Sequence, residues 1–151
     1  LALEDPLLVI GAPLDDGLGT ESDNTPNNNS GALYVYERSA ASWEKKAYLK
    51  PQDADVLMGG FFGSAADIEQ GVVAVGAARV LREGEQAGAV FVVRKSEGNW
   101  VIDKRFDNPV PTFISRMGEG DLRLQGQEVL SANAIDSYAG RVRTFYFTDP
   151  K

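Results

Sequence analysis

Apolar residues in this chain come in short runs closed by glycine. The clearest stretch is Phe61 to Val80, where Phe61, Phe62, Ala65 and Ile68 load one run and Val72, Val73, Ala74 and Val75 load the next. Asp67, Glu69, Gln70 and Gly71 lie between them, and Gly63 and Gly76 punctuate the clusters. Runs this short, rich in Val and Phe and bounded by Gly, predict buried strands. Gly31 to Arg38 alternates, with Ala32, Tyr34 and Tyr36 on one side and Leu33 and Val35 on the other. Trp43 to Lys50 alternates weakly, with Trp43, Lys45, Ala47 and Leu49 on one face, and predicts an outer, half-exposed strand. No segment carries a helical apolar stripe of useful length, so the chain is expected to be all-β.

The runs recur in a fixed order. An apolar run ending in small residues appears around Gly11, Gly76 and Ser131. A glycine opening a β-rich run appears at Gly31, Gly88 and Gly140, and Phe62-Gly63 is echoed by Met117-Gly118. Trp43 and Trp100 each lead an amphipathic run. One order of markers in successive copies points to tandem repeats of about 1–56, 57–111 and 112–151. Between the strands lie a polar loop over 13–30, a linker over 51–60 and a charged loop over 79–87, while copy one lacks its opening strand. Four antiparallel strands per copy describe propeller blades, about two and a half of them. That is too few to close, so the sheet faces need the remaining blades of a longer chain or other copies of the same chain.

The 151 residues carry a net charge of −7, with Lys and Arg scattered. That balance argues against nucleic acid. No apolar run approaches the length of a membrane span, and Leu1 to Pro6 lacks the pattern of a targeting segment. Cysteine and histidine are both absent, which excludes disulfides, thiolate catalysis, zinc sites and imidazole acid–base chemistry. No carboxylate pair stands out among the 22 acids, so the chain is expected not to be an enzyme.

Phe62-Gly63, Gly11-Ala12-Pro13 and Gly76-Ala77-Ala78 resemble the FG and GAP elements of the FG-GAP repeat family. The form GALYVYER from Gly31 is similar to the bacterial variant, found in secreted and surface proteins. The resemblance implies a β-propeller related to that of integrin α-subunits. It also implies an extracellular or cell-surface location and a role in adhesion to protein or glycan through blade-edge loops. The alternatives are an accessory portion of a secreted polysaccharide-acting enzyme and a ring-forming lectin.

Calcium is the candidate cofactor, because integrin-type blades bind it in an acidic loop. The equivalent turns here, Asp67 to Gly71 and Gly118 to Gly126, lack that pattern. The candidate metal ligands are therefore Asp15, Asp16 and Asp23 in loop 13–30, with Glu21 and Asn24 nearby. The bland alternative is a solvated acidic loop. Asn27, Asn28, Asn29 and Tyr138 are the candidate ligand-binding residues, by hydrogen bonding and stacking, against a reading as turn formers and core.

Overall fold

A computed structural model describes residues 1–17, 29–110, 115–126, 128–133 and 141–146, and it is all-β apart from one helical turn. The first sheet takes β1 (Ala2–Glu4), β2 (Leu7–Ala12), β3 (Ala32–Ser39) and β4 (Ser42–Leu49) in chain order, all antiparallel. Helix α1 (Ala54–Leu57) leads to β5 (Phe62–Glu69) and β6 (Val72–Ala77). A small hairpin, β7 (Leu81–Arg82) and β8 (Glu85–Gln86), intervenes before β9 (Ala89–Ser96) and β10 (Asn99–Asp107). The second sheet has the order β5-β6-β9-β10, again antiparallel. The third holds β11 (Leu122–Gln125), β12 (Glu128–Asn133) and β13 (Arg141–Tyr146). No closed barrel forms among the described residues.

Three segments differ from the sequence expectation. Copy one has an opening strand, β1, too short to show as an apolar run. The linker over 51–60 contains α1, and the charged loop over 79–87 contains the β7–β8 hairpin.

The turns follow from local chemistry. Glu69 pairs with Val72 across Gln70 and Gly71, whose φ angles of 51° and 73° are those of a two-residue hairpin turn, and glycine takes the second without strain. One expectation about faces fails. Ala47 pairs with Val35 and Lys45 with Tyr36, so Lys46 is the extra residue of a bulge. A bulge shifts the period-two alternation by one residue. Ala47 and Leu49 therefore pack on the core while Trp43, 40% exposed, lies on the other face. The same bulge recurs in β10, where Asp103 is skipped between Ile102 and Lys104.

The sheets stack through apolar faces. Val9, Leu33 and Val35 of the first sheet bury against Ile68, Val73, Val75, Phe91, Val93 and Trp100 of the second. The opposite face of the second sheet, with Ala74, Val90 and Val92, buries against Leu122, Leu124 and Phe145 of the third. Each junction uses the same contacts. A Cβ on Gly11 would stand 2.9 Å from the Gly63 Cα and run into its carbonyl, and a Cβ on Gly76 would stand 2.9 Å from the Gly118 Cα. Parallel bridges join Gly31 to Phe62 and Gly88 to Met117. A glutamate crosses each junction to the turn of the next sheet. Glu4 accepts from the Gln70 and Gly71 N–H groups at 2.8 and 2.9 Å, and Glu69 accepts from Gly126 N–H at 2.8 Å. Backbone N–H groups converging in a tight turn make a small anion nest, which a carboxylate fills.

Candidate functional site

Beyond β2 the chain curls back, and the Asp15 N–H donates to the Ala12 carbonyl at 3.1 Å. This sets the Asp15 carboxylate over two tyrosines on neighbouring strands, Tyr34 of β3 and Tyr48 of β4, whose rings meet edge to face at 5.2 Å. Oδ1 accepts from the Tyr48 hydroxyl at 2.8 Å and from Gly17 N–H at 3.2 Å, and Oδ2 accepts from the Tyr34 hydroxyl at 3.1 Å. Lys50 follows β4 with its side chain only 1% exposed, and donates to the same Oδ1 at 2.8 Å. Its ammonium also donates to Ser30 Oγ at 2.7 Å, to the Gly17 carbonyl and to the Asp15 carbonyl at 3.3 Å. A buried charge needs such a shell of partners. Burial pushes the Asp15 carboxyl up, but the hydrogen bonds from Lys50, Tyr48 and Tyr34 and the Lys50 charge together hold it below the usual carboxylate range.

The far end of the loop continues this knot toward the second sheet. Asp16 Oδ1 accepts from Asn29 N–H at 2.8 Å. The Asn29 carbonyl accepts from Phe61 N–H at 3.2 Å, and the Ser30 carbonyl from Phe62 N–H at 2.8 Å. Asn29 and Phe61 both hold positive φ, 46° and 56°, a conformation costly for Phe and sustained here by these backbone bonds. The Phe61 ring lies under the Arg79 guanidinium, 4.0 Å from centroid to Cζ.

Phe61 and Arg79 form the wall between two crevices. One, of about 230 Å³, is closed by Pro13, Ser64, Ala78 and Glu119. The other, of about 290 Å³, is closed by Asn29, Met58, Leu81 and Gln86. Among the described residues the Arg79 guanidinium has no ion-pair partner. Four other arginines are paired: Arg38 with Asp5 at 2.6 Å, Arg94 with Asp103 at 3.2 Å, Arg116 with Glu119 at 3.1 Å, and Arg105 with Asp53, Asp55 and Asp107.

Three of the residues singled out from the sequence come together here: Asp15, Asp16 and Asn29. Asp23, Asn27, Asn28 and Tyr138 lie outside the described residues, as do Glu21 and Asn24. Among the described residues no three acidic side chains converge as a metal site. The Asp15 oxygens face an ammonium and two hydroxyls, and Asp16 binds the Asn29 backbone. Sequence reasoning missed Lys50, Tyr34, Tyr48, Phe61 and Arg79. No sequence pattern joins them, because they stand on separate strands and loops that meet only when the sheets pack.

The crevices suit recognition. The Arg79 guanidinium, stacked on Phe61, lines both crevices, and its planar fork of donors matches a carboxylate or similar acceptor. The Asn29 and Gln86 amides give and accept hydrogen bonds, and Met58 and Leu81, 81% and 47% exposed, supply apolar walls. The chain matches no protein-family model and no curated protein.

Proposed function

We propose that this chain is a non-catalytic binding module, part of an FG-GAP-like β-propeller secreted to, or displayed on, a bacterial cell surface. The glycine contacts and glutamate crossings repeated at both sheet junctions support the blade reading, because each FG glycine meets the small-residue corner of the sheet before it. Loops at that edge recognise a protein or glycan ligand, and the sheets hold them rigid. One observation carries the binding role. Arg79 is stacked on Phe61 and lines both crevices, with no ion-pair partner among the described residues, whereas Arg38, Arg94, Arg105 and Arg116 each meet a carboxylate.

The test is a screen of the protein against immobilised glycans and extracellular proteins, followed by titration of the hits with the Arg79→Ala variant. A charge-assisted hydrogen bond contributes about 1.5–3 kcal/mol, so the variant should bind about tenfold more weakly or worse while melting at the wild-type temperature. Hits that bind the variant at full strength, or a screen with no hits, would count against the proposal.

A further inference from the structure

The outer face of the first sheet matches a face that the second sheet buries. Ile10 pairs with Tyr34 as Val75 pairs with Phe91, and Trp43 pairs with Arg38 as Trp100 pairs with Lys95. Leu3, opposite Leu8, holds the place of Ile68, opposite Val73. In the second sheet Ile68, Val75 and Trp100 are 9%, 0% and 8% exposed, packed on the first sheet. In the first sheet Leu3, Ile10 and Trp43 are 64%, 36% and 40% exposed. An aliphatic and aromatic sheet face of this extent marks an interaction surface.

We propose that the surface receives a second copy of this chain, which presents the outer side of its third sheet. The register supplies the complementary half. Ala74 and Val90, which the second sheet buries on the third, correspond to Leu130 and Val142, because Leu130 pairs with Thr144 as Ala74 pairs with Val92, and Ala132 with Val142 as Gly76 with Val90.

Two further features single out a copy of this chain over another unit of the internal kind. At both internal junctions a glutamate fills the turn of the next sheet. The corresponding turn of the first sheet is Asp5-Pro6, between Glu4 and Leu7. Proline lacks the N–H that Gly71 offers Glu4 at the first junction, and Asp5, with its side chain 64% exposed, adds a negative charge beside Arg38. A glutamate arriving there would meet like charge. The residue in the glutamate position of the third sheet is Gln125, paired with Glu128 as Glu69 is with Val72. Its neutral amide has the N–H groups that Asp5 accepts. The glycine corner changes with it. Ala132 stands at the register position held at the internal junctions by Gly11 and Gly76, the glycines that meet an FG glycine. Both outer faces have thus lost the internal fittings in a way that suits each other. The contact is head to tail, and two copies bring six sheets, within the range at which radially packed sheets close.

Sedimentation velocity of the 151-residue chain tests this, from micromolar to hundreds of micromolar. The expected result is a dimer that Ile10→Asp converts to monomer with unchanged far-UV circular dichroism. Gln125→Glu, at an exposed turn, should weaken dimerisation about tenfold, and adding Asp5→Asn to it should restore the dimer. A monomer at every concentration overturns the proposal, and so does a dimer indifferent to Gln125→Glu. None of these outcomes depends on the Arg79 ligand.

Discussion

Replacing Lys50 with methionine removes one ammonium from a closed shell of oxygens and leaves a side chain of similar length and apolar stem. The deleted charge is the main partner of Asp15, which among the described residues then keeps the Tyr34 and Tyr48 hydroxyls and the Gly17 N–H. Removing one member of a buried ion pair costs about 3–5 kcal/mol. Asp15 retains three donors and is 17% exposed, so Lys50→Met belongs near the lower bound, about 3 kcal/mol. Asp15→Asn belongs near the upper bound, about 5 kcal/mol, because it strands an ammonium that is 1% exposed. With both charges gone no unpaired ion remains, and the double variant should lose less than the sum of the two by about 2 kcal/mol. At about 2–4 °C per kcal/mol for a chain of this size, Lys50→Met should lower Tm by about 6–12 °C. Thermal and urea unfolding followed by circular dichroism at neutral pH read all four proteins. Strict additivity, or a Lys50→Met variant within about 0.5 kcal/mol of wild type, would refute the reasoning.

Three further outcomes follow from the same contacts. Gly76→Ala drives a methyl into the Gly118 carbonyl and should cost about 3 kcal/mol or more, whereas Gly71→Ala, with open space around its Cβ, should cost only the left-handed backbone penalty of about 1–2 kcal/mol; urea midpoints compare them. Asp15 and Asp55 have folded pKa values below their unfolded value of 3.8, so the unfolded chain takes up protons first as pH falls. The stability they give is present above about pH 4 and is lost on acidification below it, and Asp15→Asn should flatten that part of a stability-against-pH curve. EDTA and calcium should each leave the wild-type Tm unchanged, since the Lys50 ammonium already occupies the oxygen shell around Asp15; a calcium-dependent rise would show a cation bound in its place.

Much of the fold was legible because its strands are short, apolar and closed by glycine. The run loaded by Val72 to Val75 lies in β6, the alternation over Gly31 to Arg38 agrees with β3 to within a residue at each end, and the runs opened by Gly88 and Trp100 are β9 and β10. What pattern reading could not give was the effect of one skipped residue. The bulges at Lys46 and Asp103 change which face Trp43 and Trp100 occupy, and nothing in those residue types announces a bulge. Glu4 and Glu69 look like surface acids until the next sheet brings a turn against them, from 55 or more residues away in sequence. The acidic loop was legible as a place rich in oxygen ligands, but a lysine after a distant strand supplies the cation. Asn29 was found through its composition. Arg79 and Phe61 were missed, because a cation stacked on a ring depends on how the second sheet meets the first.

The central claim is that the two sheet junctions are the same junction, used twice. Nuclear Overhauser spectra of glycine-labelled protein address it directly. The account predicts an Hα–Hα cross-peak between Gly11 and Gly63 and another of similar strength between Gly76 and Gly118. Loss of either pair in the folded protein would contradict it.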